Sequence, residues 1–410
     1  MKILFVTARP PWPGRRGDQA RVGGFATIFQ ARHDVHIVAV RPPRFAVDEP
    51  PHGVDVETVP LGRAGLIGGL LRGLPGFVTG RRPLQAALFD QRRLRDTVAR
   101  AVDRIDPDVV VVVLSRLADL LPVVEDRPVV LDLIDALGLN MRRRADRGGW
   151  LRPLWSAEAG RLSRWEAAAV ARVDRATVVA DRDRRAILDG APETLRSTID
   201  ARLRVVPFGL DLDRAESSDR SGMPTSVSPT LITSGNLGYF PTVEGVRWFA
   251  TEVWPRIQAR RPDVRWRLAG ARPGRSIREL AHRPGVELIA DPAELRPLVR
   301  GADVAVAPLR AGSGTPIKIL EAMADGVPVV TTSDGAGGLD ALPDEALAIV
   351  DDPSSFAEAV LRALDEPEQA RRSIETASGW LERHRLGATA DAFETVLDEA
   401  VSAGRRPAPR

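Results

Sequence analysis

The chain has 410 residues, of which 44% are hydrophobic and 28% charged, with a formal net charge of +3; that is length for two or three domains with sizeable cores and the balance of an ordinary globular protein. Cysteine is absent, which excludes a disulfide framework and thiolate metal sites and fits a reducing cytoplasm. Aromatic residues make up only 5% and no long basic run occurs, so nucleic acid is not an expected partner.

The chain opens with KILFV from Lys2, which reads as a strand and not as a signal peptide. The loop PPWPGRRGD (Pro10 to Asp18) follows and leads into a helical stretch, where Asp18 suits an N-cap. DVHIVAV, DVVVVVL, PVVLDLI, RATVVA and RLRVVPFG then recur as apolar runs with helical segments between, the pattern of a doubly wound parallel sheet. Within this half, Ala64 to Gly80 is weakly polar but broken by Arg72, Pro75 and glycines, so it cannot span a bilayer. It reads either as a mobile apolar loop and short helix packed on the first domain, or as a surface for a membrane or an acceptor. Arg116 and Asp135 fall near the C-terminal ends of their strands, where ligands of such sheets bind; Asp135 is equally explained as a turn or cap residue. Asp181 with Asp183, and Asp211 with Asp213, have the spacing of a Mg²⁺ pair, but each follows a strand and reads better as a cap or turn, so no metal is expected.

A polar, proline-containing stretch from Ser217 to Pro229 reads as a linker, after which the pattern restarts with TLITSGN, VRWRLAG, VELIA, DVAVAPL, VPVVTT and LAIV. The expected organisation is an N-terminal domain over 1–215, a second over 216–385, and a helical tail over 386–410 that crosses back to the first. Their strand ends should face each other across a cleft.

Of 58 basic residues only Lys2 and Lys318 are lysines. A lone internal lysine in an arginine-rich chain points to a site that needs a compact ammonium and not a planar fork. Around it, DVAVAPL predicts a strand, Arg310 to Gly314 a glycine loop, Thr315 a helix cap, Pro316 the first helical position and Gly326 the stop. Strand, glycine loop and helix form the layout that presents backbone N–H groups to an anion. Glu321 shares a helix face with Lys318, and a solvated pair of that kind would stabilise by only about 0.5 kcal/mol. A lysine in the first turn opposes the helix dipole, and a bound phosphate would reverse that cost.

TLITSGNLGYFPTVEGVRWF, VELIADPAELRPLVRGADVAVAPLR and, above all, GTPIKILEAMADGVPVVTT resemble the nucleotide-sugar-binding half of retaining glycosyltransferases of family 4. With MKILFVTARPPWPGRRGDQAR the resemblance covers nearly the full length, and it is nearest to bacterial exopolysaccharide and secondary-metabolite sugar transferases. It implies the GT-B fold, α/β with two Rossmann-like doubly wound parallel-sheet domains. It also implies a metal-independent hexosyltransferase that takes a nucleoside-diphosphate sugar as co-substrate and no further cofactor. Glu321 matches the second of the family's two glutamates and would accept hydrogen bonds from the donor ribose; the first falls at Ser313, so the carboxylate that contacts the transferred sugar is missing. A basic residue usual after the first glycine is replaced by Asn236, following Gly235, which leaves Lys318 with Arg310 to meet the diphosphate and Gly312, Gly314 and Thr315 to frame it. Arg16, Gly17, Asp18, Arg116 and Asp135 would lie toward the acceptor, and Ser115 and Arg116 stand where the family often has a histidine. Tyr239, the only tyrosine, falls in the same region and reads as loop packing or a donor contact.

The expected reaction is sugar transfer with retention to a hydroxyl of a glycan, a lipid-linked sugar or a secondary metabolite, with Lys318, Glu321 and Asp18 as its catalytic residues. An epimerase or sugar phosphorylase on the same scaffold, or a non-catalytic partner protein with a degenerate site, are the competing expectations. The expected location is the cytoplasm, with peripheral contact at the inner membrane face.

Overall fold

The computed structural model describes residues 1–14, 16–43, 48–80, 82–149, 151–212 and 228–404. Most of the expected linker, and Asp213 of the second carboxylate pair, lie outside these residues. Two compact units result: Met1–Gly209 together with Leu386–Arg410, and Leu210–Arg385.

The first unit holds a seven-stranded parallel sheet in the order β3-β2-β1-β4-β5-β6-β7. Its strands are β1 (Lys2–Thr7), β2 (Asp34–Arg41), β3 (Val54–Pro60), β4 (Val109–Val113), β5 (Val129–Ile134), β6 (Arg175–Val178) and β7 (Leu203–Val205). All five valines of β4 are buried, as a strand covered on both faces requires. β3 is an addition to the sequence reading: VDVETVP alternates polar with apolar residues because it is the edge strand, so its apolar run is broken.

The helices used below are α1 (Gly17–Phe29), α2 (Arg63–Val78), α3 (Leu84–Ala87), α4 (Arg92–Ile105), α5 (Leu121–Val124), α6 (Leu137–Asp146), α7 (Arg152–Val170), α8 (Asp181–Asp189) and α9 (Glu193–Arg202). α2 corrects one expectation, because Ala64 to Gly80 is not loop and short helix but one helix running through Pro75. Its glycines do not break it because they are the contact face. A Cβ on Gly69 would come 2.6 Å from the Ala87 carbonyl oxygen and one on Gly73 2.1 Å from the Ala87 Cβ, so α3 packs directly on α2 backbone.

The second unit has a six-stranded parallel sheet in the order β10-β9-β8-β11-β12-β13. Its strands are β8 (Thr230–Asn236), β9 (Arg265–Ala271), β10 (Val286–Ala290), β11 (Val304–Ala307), β12 (Val329–Thr331) and β13 (Ala348–Ile349). Its helices include α10 (Phe240–Trp248), α11 (Trp254–Arg260), α12 (Arg275–Leu280), α13 (Arg296–Arg300), α14 (Ile317–Ala324), α15 (Ser333–Ala336), α16 (Pro353–Asp365) and α17 (Pro367–Leu381). Phe249, Trp254, Trp266 and Phe356 form its aromatic core, with Phe249 and Trp266 centroids 4.6 Å apart. The last helix, α18 (Leu386–Gly404), belongs to the first unit, where Phe393 stacks on Phe25 of α1 at 4.7 Å. Among the described residues no helix is long and apolar enough to cross a membrane.

Candidate active site

In each sheet the strand order reverses once, between β1 and β4 in the first and between β8 and β11 in the second. Crevices outside the carboxyl ends of such strands are where doubly wound sheets bind ligands. The predicted donor residues fall at the second of these points and the predicted acceptor residues at the first.

β8 ends in Gly235 and Asn236, and Gly235 has φ +111°, a conformation that L side chains rarely adopt. It faces Gly270 of β9 in register, and a Cβ on Gly270 would come 1.7 Å from the Gly235 carbonyl oxygen. On its other side, a Cβ on Gly235 would lie 3.4 Å from Cε and 3.6 Å from Nζ of Lys318. The lysine thus rests against bare backbone at the switch point. Asn236 closes the following turn by accepting the Gly238 amide at 3.0 Å, and Tyr239 stands at the N-cap position of α10, 45% exposed.

Beyond β11, Gly312 and Gly314 take positive φ (118° and 67°) and carry the chain round to α14. Here one local expectation is corrected: α14 starts at Ile317 with Pro316 at the cap position, and the Thr315 hydroxyl donates to the Gly338 carbonyl at 3.1 Å instead of capping the helix. Gly338 comes close enough for this because it lacks a side chain; a Cβ there would sit 2.1 Å from the Gly314 carbonyl oxygen. The stop is as the sequence predicts, with Gly326 at φ +67° after the last turn. Ser313 lies in the same loop, and the Arg310 guanidinium sits 5.1 Å from the centre of the Trp248 ring, a cation–π contact.

Lys318 is the second residue of α14, and its ammonium donates to the Thr242 hydroxyl in the first turn of α10 at 3.0 Å. It therefore stands where the amino ends of two helices converge. Desolvation by the surrounding protein lowers its pKa to about 8, against the opposing pull of Glu321. Glu321 is solvent-exposed. Desolvation, and the negative charge of Asp325, push its carboxyl up to about 7 against Lys318 and Arg296. Asp325 is buried and braced by Arg296 Nε at 2.7 Å and Arg300 Nε at 2.9 Å, both from α13. The Arg296–Asp325–Arg300 brace carries no sequence signal, since the partners lie on different helices.

In the first unit Asp18 is the second residue of α1, after Gly17, and the cap position falls to Arg16. The N-cap reading of Asp18 is thereby replaced: both its oxygens accept from Arg9 Nη1, at 2.8 and 2.7 Å. Three residues on, Arg21 is fully buried and pairs with Asp132 at 2.8 Å, while Asp132 also accepts from Thr177 at 2.7 Å. Arg116 follows β4 and Asp135 follows β5, both half-buried. Asp135 lies in the turn and Ala136 takes the cap position of α6. The sequence reading missed the group beneath them, Glu166, whose carboxyl is 1% exposed and accepts from Leu137 N, Gly138 N and the Ser115 hydroxyl. Burial first, and then Asp135, push Glu166 up to about 8 against these hydrogen bonds. Of the first carboxylate pair, Asp181 joins Arg184 and Arg185, and Asp183 accepts the Ala136 amide, so both act at a helix start. Among the described residues no group of three or more His, Asp or Glu could hold a metal ion.

Two doubly wound parallel-sheet domains of this kind make up the GT-B fold. Residues 228–366, most of the second unit and about a third of the chain, match the family model described as glycosyl transferases group 1. A curated relative, an uncharacterized 44.6 kDa protein in the cps region of Klebsiella pneumoniae, is 28% identical over 135 residues, which is 31% of this chain and about a third (35%) of that protein's length. Among solved structures, a sucrose-phosphate synthase from Thermosynechococcus elongatus aligns over 98% of this chain and 100% of its own, with a TM-score of 0.70 at 14% identity. The Anabaena protein HepE in complex with UDP aligns over 97% and 100%, with a TM-score of 0.65 at 15% identity. HepE in complex with UDP-glucose gives 0.64 at 15%, over 97% of this chain and 99% of that one.

Proposed function

We propose that the protein is a retaining glycosyltransferase that moves a sugar from a nucleoside diphosphate to an acceptor hydroxyl. The observation that carries this reading is the Lys318 ammonium, lodged against Gly235 at the switch point and at the amino ends of α10 and α14. Backbone N–H groups, helix dipoles and one compact cation converging there suit the two charges of a pyrophosphate. Glu321, one turn along the same helix face, would accept from a ribose hydroxyl in this reading. The UDP and UDP-glucose complexes of HepE, a protein of the same fold, support a nucleotide-sugar donor.

In this reading the bond from the anomeric carbon to the diphosphate breaks and the bond to the acceptor oxygen forms on the same face. The acceptor proton passes to the departing phosphate oxygen. Lys318 and the helix ends stabilise the charge that builds on the leaving group, so no metal ion is needed and the sugar nucleotide is the sole co-substrate. Asp18, Arg116 and Asp135 are the residues for the acceptor, a carbohydrate or lipid-linked sugar. We further assign α2, with Ile67 and Leu71 exposed, to peripheral contact with the inner membrane face of the cytoplasm.

The direct test is thermal unfolding of the full chain with UDP, GDP, ADP and their glucose conjugates. A nucleotide at a hundred times its Kd stabilises the native state by about 2.7 kcal/mol, and at least one should raise the melting temperature. No shift with any member would remove the donor assignment.

A further inference from the structure

Two neighbouring strands of the first sheet end in the same unusual way. β4 runs into Leu114 at φ 73° and β5 into Ile134 at φ 64°. Positive φ is uncommon for leucine and a true outlier for a β-branched residue, and such backbone persists only where the surroundings over-determine it. Here the surroundings are side chains of α7 and α8, with Glu166 and Asp183 buried. Glu166 accepts from Leu137 N at 2.8 Å, from Gly138 N at 3.1 Å and from the Ser115 hydroxyl at 3.2 Å, so one carboxyl spans the turns after both strands. Trp165 Nε1 donates to the Ser115 carbonyl at 2.9 Å, and Asp183 accepts the Ala136 amide at 3.0 Å. α7 approaches so closely that a Cβ on Gly138 would sit 2.4 Å from the Ser163 hydroxyl oxygen.

A buried carboxyl on backbone amides is a costly way to hold a turn that glycine would make unaided. What the clamp fixes is the direction in which the chain leaves β4 and β5, and hence Arg116, two residues after Leu114, and Asp135, directly after Ile134. We propose that Glu166 is the positioning residue of an acceptor subsite, clamping these two turns so that Arg116 and Asp135 present a guanidinium and a carboxylate to the hydroxyls of a carbohydrate acceptor. The proposal rests on the transferase reading above, and it adds the residue that shapes the acceptor side. Glu166 touches no substrate itself.

The test uses the full chain, a panel of UDP-, GDP- and ADP-sugars as donors, and mono-, di- and lipid-linked saccharides as acceptors. E166Q keeps the side-chain volume but places an amide donor against a backbone donor. It should raise the acceptor KM tenfold or more with a smaller change in kcat, while UDP affinity measured by calorimetry stays within twofold. If E166Q does not fold, Ser115→Ala and Gly138→Ala disturb the same two turns and should show the same split. Acceptor KM within twofold of wild type in folded E166Q, or in both alternative variants, overturns the proposal and leaves the transferase reading standing. A wild-type chain that turns over no donor in the panel overturns the transferase reading, and this proposal with it.

Discussion

Lys318 carries two penalties at once. In the first turn of α14 it opposes the helix dipole, at a cost of about 0.3–1 kcal/mol, and desolvation lowers its pKa to about 8. Both would reverse sign if, as proposed, a diphosphate docks beside it. A lysine whose native pKa is lowered binds fewer protons folded than unfolded between about pH 8 and 10.5, so its penalty on the native state fades as pH rises through that window. The proposed UDP binding would work the opposite way, since the attraction is present below pH 8 and lost above it. UDP affinity measured by calorimetry should therefore hold near pH 7 and fall steadily from pH 8 to 9, with proton uptake on binding. Lys318→Arg, charged throughout, should bind more weakly at pH 7 but lose this dependence; a flat wild-type profile would take the ammonium out of the site. Removing one preorganised charge contact costs about 2.7–4 kcal/mol at the transition state, so Lys318→Ala should cut turnover at least a hundredfold. At this scale the sequence was legible where a residue was rare: Lys318 stands out because arginine is used almost everywhere else. Glu166 was illegible, because its partners lie 28 to 51 residues away and no spacing links a helix carboxylate to a strand's turn, whereas Asp183 was read as a cap or turn residue and accepts the Ala136 amide.

Among elements, the strands could be read directly, since β4 is a continuous apolar run and β5 one broken only by Asp132, as burial on both faces explains. α2 could not, because glycine and proline read locally as breakers while the fold uses glycine as a contact surface. Gly65, Gly69, Gly73 and Gly76 line the inward side, where added Cβ atoms would meet Gln91, Ala87 and Arg82 within 2.8 Å. Ile67 and Leu71, four apart, are 61% and 64% exposed. From Thr58 to Phe89 the chain carries four arginines and no acid. An apolar edge in a basic segment suits an anionic lipid surface, where each basic residue contributes about 1 kcal/mol. The full chain should co-sediment with vesicles containing phosphatidylglycerol and much less with phosphatidylcholine alone. The Ile67→Glu, Leu71→Glu double variant should lose that binding without a lower melting temperature, since both side chains already face water. Equal binding by wild type and variant would return α2 to a purely internal role.

For the whole molecule, the division into two units has an energetic consequence, because each has its own core. Phe249, Trp254, Trp266 and Phe356 fill the second, whereas the first is completed by α18, the last stretch of described chain. On α18, Phe393 is fully buried, stacks on Phe25 at 4.7 Å and lies 5.7 Å from the Arg21 guanidinium, which is itself paired with buried Asp132. Phe393→Ala removes that ring from a closed site and leaves Arg21 less shielded, a change worth about 3–5 kcal/mol. Chains with separate cores need not unfold in one step. Calorimetric unfolding of Phe393→Ala should therefore lower one transition by many degrees and leave the other near its wild-type position. UDP should raise the transition that the substitution spares, because its proposed contacts all lie in the second unit. If the substitution and UDP move the same transition, the two units unfold together and the separation of donor and acceptor stability fails. The sequence carried the hint in its order: α18 is needed to finish a sheet that begins at Lys2, so the first core closes only once the chain through α18 is present.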